Sequence, residues 1–366
     1  MEYNQIIQGN TLTVLQTLPP EIVNCCVTSP PYWGLRDYGI EPVIWDGNKD
    51  CKHNFITKER SLHGGSTKSK IPELSGQETD WVIKDGFCLK CGAWRGSLGL
   101  EPTFELYIKH LCDIFDQVKR VLRKDGTCWV NLGDSYGGSG NASGHTKDTK
   151  NLGYKTSEMG ATQGNQKSTS QYAKSLCQIP SRFAIEMSNR GWICRNTIIW
   201  HKPNCMPSSA RDRFTVDFEY VYFFVRSKKY WFEQAFDEHT TKDDLDRRTN
   251  KFWSNDIADG GTGKQNKGRD RREFYGANGR NKRAVWTINT KPFPEAHFAV
   301  YPEALIEPMI QAGCPKGGIV LDPFIGAGTT AVVAKKQGKR YLGIDLKQEY
   351  IEIANKRIRK IRETLF

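Results

Sequence analysis

The chain has 366 residues, of which 38% are hydrophobic and 26% are charged, so it can bury a sizeable core and global disorder is excluded. Its 53 Lys and Arg residues outnumber 41 Asp and Glu residues, and the net charge of +12 favours a polyanionic partner such as nucleic acid. No run of about 18 apolar residues could span a membrane, and the polar first residues lack the apolar centre of a signal peptide, so we expect a cytoplasmic protein.

The chain opens with an alternation typical of α/β proteins. Hydrophobic spacing predicts a strand at residues 6–7, a helix at 12–18 and a strand at 22–27. The pattern then degrades between residues 46 and 98 into Gly, Ser, Lys and Thr with two cysteine clusters, which indicates an insertion.

Regular structure is predicted to return in the middle of the chain. An apolar stripe predicts a helix over residues 111–121, ended by a turn at Lys124–Gly126 before a strand at 127–132. Residues 134–174 contain almost no large aliphatic side chain, so we expect a long mobile loop. A second α/β unit follows, with its helix at residues 179–189.

The second half contains two further strands, predicted at residues 193–200 and 220–225. The stretch from residue 237 to 283 is irregular, and within residues 264–283 eight Lys and Arg residues stand against two acidic ones. The last segment, residues 284–366, returns to an alternation of strand and helix.

A glycine-containing motif near the end of the chain has the pattern of a cofactor loop. An apolar strand ends in Asp322, and Gly326 and Gly328 allow a tight turn and a close approach to a ligand before a helix that begins at Thr329. Asp345 ends the next strand 23 positions after Asp322, where a ribose diol is commonly hydrogen-bonded in such folds. We therefore predict a nucleoside-containing cofactor; the alternative is that the glycines only permit the turn.

A proline-containing motif, Ser29–Pro30–Pro31–Tyr32, follows the strand at 22–27. The prolines stiffen the turn, and they leave the Ser29 hydroxyl and the Pro30 carbonyl as hydrogen-bond acceptors beside the Tyr32 ring. Acceptors next to a stacking ring suit a planar amine. Taken alone, the motif is a weak signal, and the alternative is a rigid loop or a proline-type recognition segment.

Together the two motifs resemble those of the beta class of S-adenosylmethionine-dependent exocyclic-amino DNA methyltransferases. The order, with the catalytic motif first, separates this class from protein-glutamine and many RNA methyltransferases, in which the cofactor motif comes first. The chain departs from the family at Asn10, where Asp is usual, and at Phe218, where His is frequent. The resemblance implies that the cofactor is bound by Asp322, Phe324, Gly326, Gly328, Thr329, Thr330 and Asp345.

The fold class implied by the resemblance is α/β, a Rossmann-like methyltransferase fold with a mixed sheet, circularly permuted so that the catalytic half precedes the cofactor half. Ser29, Pro30, Pro31 and Tyr32 would hold a flipped-out base for methyl transfer to its exocyclic amine. Ser in the first position of the tetrapeptide is commoner in N4-cytosine enzymes and Asp in N6-adenine enzymes. We therefore expect N4-cytosine methylation of duplex DNA, with N6-adenine methylation as the alternative.

Two further functions remain open on the sequence: an inactive nucleic-acid-binding zinc protein, and a methyltransferase acting on RNA or protein. The intact proline and glycine motifs argue against the first, and the motif order argues against the second. Both a restriction-modification enzyme with a cognate endonuclease and a phage or orphan enzyme are compatible with the resemblance.

A third motif combines Cys51 and His53 with Cys88 and Cys91. Three thiolates and one imidazole can complete a tetrahedral zinc site, and Cys-x-x-Cys followed by Gly resembles a zinc-knuckle turn. A structural zinc ion would explain how the polar insertion folds. The alternative is a set of reduced cysteines without metal.

The region from 237 to 283 lies where beta-class enzymes carry a target recognition region. Arg269, Arg271 and Arg272 are the predicted DNA contacts. The alternative is a solvated loop. The predicted organisation has five parts. The catalytic half covers residues 1–45 and continues at 99–236, and a zinc-binding insertion at 46–98 interrupts it. The recognition region follows at 237–283, and the cofactor half at 284–366.

Overall fold

The computed structural model describes residues 3–35, 37, 39–55, 86–137, 172, 174–237, 280–291 and 300–361. Its strands are β1 Gln5–Gln8, β2 Val23–Thr28, β3 Val43–Trp45, β4 Trp94–Gly96, β5 Leu122–Leu132, β6 Ile193–His201, β7 Phe218–Val225, β8 Phe236–Asp237, β9 Arg280–Asn281, β10 Val285–Thr287, β11 Ile319–Asp322 and β12 Arg340–Asp345. Its helices are α1 Thr11–Thr17, α2 Phe104–Val121, α3 Ile179–Asn189, α4 Glu303–Gly313, α5 Thr329–Lys336 and α6 Gln348–Arg359.

One mixed sheet organises the fold, with the strand order β1-β12-β11-β2-β5-β7-β6-β10. All neighbouring strands run parallel except β7, which is antiparallel to both β5 and β6. The mixed α/β sheet predicted from the sequence is therefore confirmed. The order is also permuted as expected, because β2 of the early chain lies directly beside β11 of the late chain.

Helices cover both faces of this sheet. Alternate residues of a strand point to opposite faces, so Cys26 packs with α1, α2 and α3, whereas its neighbours Cys25 and Val27 pack with α4 and α5. On the second face, the Trp129 and Phe223 rings of adjacent strands stack with centroids 3.9 Å apart. Burial on both faces explains why the central strands are almost continuously apolar.

The long helix α2 shows why the sequence pattern was informative. The Thr103 side chain accepts a hydrogen bond from the Leu106 N–H at 3.2 Å and so caps the first turn. Residues at helical spacing, from Phe104 to Val121, are buried on one face. The α3 bounds agree with the predicted helix at 179–189.

The predicted turn at Lys124–Gly126 lies within β5 and not between the helix and the strand, since a Cβ on Gly126 would come 3.0 Å from the Arg123 carbonyl oxygen. Helix α2 ends at Val121 and β5 begins at once with Leu122, which is fully buried and aligned with Val23 of β2. The extra residues are accommodated within the strand as a register shift against β2. The buried Leu122 therefore pairs with β2 before the turn, so the strand starts earlier than predicted.

The strands of the early and late segments are interleaved in space. β1, from the predicted segment 1–45, pairs with β12 from the segment 284–366. β10 of that late segment pairs instead with β6 at the opposite end of the sheet. Among the described helices, none combines the length and hydrophobicity needed to cross a membrane.

Candidate active site

Two loops meet where the adjacent parallel strands β2 and β11 end. We call residues 28–34 the proline loop and residues 322–328 the glycine loop. The Thr28 hydroxyl, at the end of β2, donates a hydrogen bond of 2.6 Å to the Asp322 carboxylate at the end of β11. Motifs almost 300 positions apart in the sequence are therefore joined at one sheet edge, as is usual for ligand sites in α/β folds.

Asp322 holds the glycine loop from inside the protein. It is fully buried, and its oxygens accept hydrogen bonds from the hydroxyls of Thr28, Thr330 (2.6 Å) and Tyr301 (2.9 Å) and from the Phe324 N–H (3.0 Å). Burial raises the pKa of the Asp322 carboxyl, although these hydrogen bonds oppose the rise. The carboxylate thus fixes β2, β11 and α5 relative to one another.

The two glycines of the loop have different surroundings. Gly328 has φ +83°, and a Cβ there would lie 2.6 Å from the Ala354 Cβ of α6, so it is needed for close helix packing. Gly326 has φ +48°, and the nearest atom to its added Cβ would be the Phe324 carbonyl oxygen at 4.0 Å. Gly326 therefore leaves the open space through which a ligand could approach the backbone.

Asp345, at the end of β12, lies against the same loop. One of its carboxylate oxygens accepts the Gly326 N–H at 2.9 Å, and the other accepts the Lys347 N–H at 2.9 Å. Burial raises the pKa of the Asp345 carboxyl. Because each carboxylate oxygen has two lone pairs, Asp345 retains acceptor capacity for ligand hydroxyls.

The structure divides the seven predicted cofactor residues into two groups. Those that are partly exposed at the loop are Phe324, Gly326 and Asp345. Those that are buried are Asp322, Gly328, Thr329 and Thr330. The two buried hydroxyls have hydrogen-bond partners within the protein: the Thr330 hydroxyl donates to Asp322, and the Thr329 hydroxyl accepts from Arg357 at 3.0 Å.

Tyr32 is the centre of the proline loop. Its hydroxyl donates to the Glu219 carboxylate at 2.7 Å and accepts from the Ser29 hydroxyl at 3.3 Å. The Tyr107 hydroxyl donates to the Pro31 carbonyl at 2.8 Å and so anchors the loop to α2. Burial and the Glu219 carboxylate raise the pKa of the Tyr32 phenol well above its usual value, which keeps it neutral.

Glu219 is shared among three partners. It forms an ion pair with Lys202 at 2.8 Å and accepts the Asn131 side-chain N–H at 3.1 Å, in addition to the Tyr32 hydroxyl. Its side chain remains 19% exposed. Gly133 lies against the aromatic ring, because a Cβ there would come within 2.6 Å of Tyr32 Cε2.

The sequence reasoning missed Asn131 and Glu219. Glu219 is the one charged residue of the apolar and aromatic strand β7, and that pattern is a signal by which it could have been found; β5 contains several polar residues besides Asn131, so Asn131 has no such signal. The two family departures have other roles. Asn10 caps α1 by accepting the Thr13 N–H at 3.2 Å, and Phe218 packs edge-on against Tyr220.

The four predicted metal ligands come together beside the β3–β4 hairpin. The ligand atoms of Cys51, His53, Cys88 and Cys91 all lie within 4.8 Å of one another. Cys51 Sγ is 4.0 Å from Cys88 Sγ, and Cys91 Sγ is 3.4 Å from His53 Nδ1. Tetrahedral zinc with Zn–S bonds of about 2.3 Å requires sulfur atoms about 3.8 Å apart, so the donor set fits zinc.

Hydrogen bonds to Cys88 also suit a thiolate. The backbone N–H groups of Asn54 and Lys90 each donate to Cys88 Sγ at 3.4 Å. Burial acts to raise the pKa of the Cys88 thiol, but backbone N–H groups and the His53 ring outweigh it and lower that pKa to about 5. Burial and the neighbouring thiols raise the pKa of Cys51 to about 11.

A buried polar chain connects this hairpin with α2. The Trp45 and Trp94 rings stack on His110, with centroids 4.5 and 5.6 Å away. The His110 ring nitrogens lie 3.0 Å from the Glu101 carboxylate and 3.2 Å from the Asp46 carboxylate. His110 and Glu101 are both buried, so the hairpin is fixed to the core.

The same chain reaches the proline loop. The backbone carbonyl of Glu101 accepts the Trp33 indole N–H at 2.9 Å, and its carboxylate accepts the Gly99 N–H at 2.7 Å. The Gly99 carbonyl in turn accepts the Gly34 N–H at 2.8 Å. The metal-type cluster and the proline loop therefore belong to one connected structure.

Several predicted features lie outside the described residues. These are the DNA contacts Arg269, Arg271 and Arg272 and most of the loop at 134–174.

Comparisons with known proteins agree with this geometry. A family model of DNA methylases of the N6 and N4 type matches residues 23–356. Type II methyltransferase M.SmaI of Serratia marcescens is 34% identical over 359 residues, covering 98% of this chain and 91% of the relative. Type II methyltransferase M.Cfr9I of Citrobacter freundii is 33% identical over 353 residues, covering 96% and 87%.

A solved structure shares the fold. The PvuII DNA methyltransferase (cytosine-N4-specific) superposes with a TM-score of 0.54 at 14% identity, covering 100% of this chain and 89% of that chain.

Proposed function

The chain belongs to the DNA methylase family of N6 and N4 methyltransferases, and from this membership we propose that it methylates the exocyclic N4 amine of a specific cytosine in duplex DNA, with S-adenosyl-L-methionine as methyl donor. The observation that carries the proposal is the junction of the proline and glycine loops through Thr28 and Asp322. A base bound at the first loop would lie next to a cofactor bound at the second.

The residues of the glycine loop fit the proposed cofactor. Asp345 would accept ribose hydroxyls, Phe324 would contact the nucleoside, and the open face at Gly326 would admit the ligand close to the backbone. The bound cofactor supplies an electrophilic methyl group on a sulfonium. The glycine loop would be held in place by Asp322, Gly328, Thr329 and Thr330, which need not contact the cofactor themselves.

The proline loop would orient the amine. An exocyclic amine is a poor nucleophile because its lone pair is delocalised into the ring. The Ser29 hydroxyl and the Pro30 carbonyl would accept its hydrogens, so that the lone pair points towards the methyl group. The Tyr32 ring, supported by Gly133 and fixed by Glu219, would stack on the base. Positioning, rather than acid-base chemistry, is the main contribution of these residues.

Because the amine lies inside the double helix, the target base has to rotate out of the stack. Its unpairing costs a few kcal/mol, about the amount that stacking and hydrogen bonds in the pocket can offset. The region at 237–283, with Arg269, Arg271 and Arg272, is proposed to select the site. Neutralising these three arginines together should weaken DNA binding and flatten its salt dependence; an unchanged salt slope would refute the phosphate contacts.

The product identifies the reaction. The purified chain is incubated with labelled methyl donor and with duplex DNA, RNA or protein, and the modified DNA is digested and analysed by mass spectrometry. N4-methylcytosine in duplex DNA is expected, and a Tyr32→Ala variant serves as the inactive control. N6-methyladenine as the sole product would overturn the choice of base, and methylation of RNA or protein alone would overturn the substrate.

The similarity to Type II methyltransferases supports a role beside a restriction endonuclease in a modification system. Sequencing modified bases in a host that expresses the chain maps the recognition site. Methylation at one short sequence throughout the genome is expected, and scattered methylation without a shared sequence would contradict the proposal.

We also propose that Cys51, His53, Cys88 and Cys91 bind a structural zinc ion, because their donor atoms already have the spacing that zinc requires. The purified full chain should contain stoichiometric zinc, and Cys88→Ser should lose it. Cys194 is exposed and lies outside the cluster, so Cys194→Ser is a matched control that should retain zinc. A metal-free chain with full activity would contradict the site.

A further inference from the structure

The connection between β6 and β7, residues 202–217, lies at the catalytic edge of the sheet. β6 runs antiparallel to β7, which runs antiparallel to β5, and β5 is parallel to β2. The carboxyl ends of β6 and β2 therefore point the same way, and the 202–217 loop leaves the sheet on the side where the proline loop begins.

The base of this loop is attached to the proposed base pocket. Lys202 forms the ion pair with Glu219, which accepts the Tyr32 hydroxyl. The Asn204 side chain donates to the Thr290 carbonyl at 2.9 Å and so ties the loop to the segment after β10. The loop is thus fixed at its base and close to the base pocket.

The rest of the loop exposes unusually apolar side chains. Phe214 is 95% exposed and Met206 is 88% exposed, and they are the two most exposed large hydrophobic side chains in the part of the chain that the structure describes. A single exposed apolar side chain needs no explanation. Two on one loop, beside a proposed DNA site, indicate a surface that is covered when the substrate binds.

Two basic residues precede Phe214, with Asp212 between them in an ion pair with Lys174. Arg211 and Arg213 are both exposed, and the Arg213 guanidinium lies 3.6 Å from the centre of the Tyr136 ring. This contact holds the arginine side of the loop against the segment that follows β5. Cations beside an exposed aromatic ring suit nucleic acid, since the cations contact phosphates and the ring stacks on bases.

We propose that Phe214 is a wedge that enters the duplex at the target step and fills the space that the flipped base vacates, while Arg211 and Arg213 contact the adjacent phosphates. Apolar side chains inserted between base steps offset the stacking that is lost when a base leaves the helix. The inference rests on the proposed methylation of a base in duplex DNA, and it adds the residue that stabilises the open duplex.

The experiment compares two synthetic duplexes that carry the mapped recognition site. In one the target base is paired, and in the other it faces an abasic site, so that less unpairing is needed. Methylation by Phe214→Ala under single-turnover conditions should fall about 10-fold or more on the paired duplex and recover towards the wild-type rate on the second. Phe214→Trp should retain activity on both.

The exposed Ile185 of α3 offers a matched control, because its side chain is 62% exposed on the outer surface of the molecule. Ile185→Ala should methylate both duplexes at the wild-type rate, and thermal melting should show that both variants fold. Equal losses of Phe214→Ala on the two duplexes, or no loss on either, would overturn the wedge. If the proposed function itself is wrong, the wild-type chain methylates neither duplex.

Discussion

The proline loop and the glycine loop are neighbours that are held in opposite ways. The glycine loop depends on Asp322, a carboxylate with no exposed surface whose four hydrogen-bond donors all belong to the protein. The proline loop depends on Glu219, which remains partly exposed and shares its oxygens among Tyr32, Lys202 and Asn131. Asp322 is closed off from solvent, whereas part of the Glu219 side chain remains exposed to it.

This difference matches what each loop has to do. The groups that donate hydrogen bonds to the buried Asp322 carboxylate have no alternative acceptor, so the glycine loop is preformed and rigid. In the proposed reaction, a base bound beside the partly exposed Glu219 would change which donors are satisfied, so the proline loop would adjust as the base enters. Damage at Asp322 should therefore appear as lost stability, and damage at Glu219 as lost activity.

The largest effect is expected from Asp322→Ala, which leaves three hydroxyls and one backbone N–H without their acceptor in a buried space. We expect the free energy of unfolding to fall by about 3–5 kcal/mol, measured by urea denaturation. Asp125→Ala is the control, because the Asp125 side chain lies in an exposed ion pair with Arg123. A loss no larger than that of the control would show that the buried carboxylate does not hold the loop.

A smaller effect separates the two glycines of the same loop. Gly328→Ala adds a Cβ 2.6 Å from Ala354 at a positive φ, and it should destabilise the fold by about 1–3 kcal/mol. Gly326→Ala meets open space, so it should cost about 1 kcal/mol from its backbone conformation alone and mainly weaken cofactor binding. Calorimetric melting measures the stability of the two variants, and titration with S-adenosylmethionine measures how well they bind the cofactor. A larger fall in melting temperature for Gly326→Ala than for Gly328→Ala would contradict the roles given to the two glycines.

The smallest effects on stability are expected at the proline loop. Glu219→Gln places an amide N–H2 against groups that donate hydrogen bonds to the carboxylate, so the single-turnover methylation rate should fall about 10-fold with little change in unfolding free energy. Tyr32→Phe keeps the stacking ring and removes only the hydroxyl, so its rate should fall less. If Glu219→Gln lowered the free energy of unfolding as much as Asp322→Ala does, the two carboxylates would have the same role.

Most of the sheet could be predicted because its strands and helices are encoded locally. The helix at 179–189 and the strand ending at Asp322 follow from periodicity and from residues that begin or end an element. The order of β1 beside β12 could not be predicted this way, since periodicity carries no information about which strands pair. The start of β5 at Leu122, before the turn at 124–126, could not be predicted because burial of Leu122 is a tertiary effect.

The candidate site was predictable to a similar degree. The proline motif, the glycine motif and the four Cys and His ligands are short patterns, and the structure brings each set together. Tyr301 and Asn131 act through contacts with residues far away in the chain, and such contacts leave little trace in local sequence. The division of the cofactor residues into buried and accessible groups likewise needed three-dimensional information.

The pairing of β1 with β12 has a consequence for how the enzyme becomes functional during synthesis. Gln5 aligns with Leu342, and β11, which completes the pocket beside β2, is made only shortly before β12. The ribosome therefore produces the proline loop long before its cofactor-side neighbour exists. Since contacts between distant parts of the chain form late, the pocket is assembled only after β11 and β12 emerge, and an incomplete nascent chain has no means of methylating DNA.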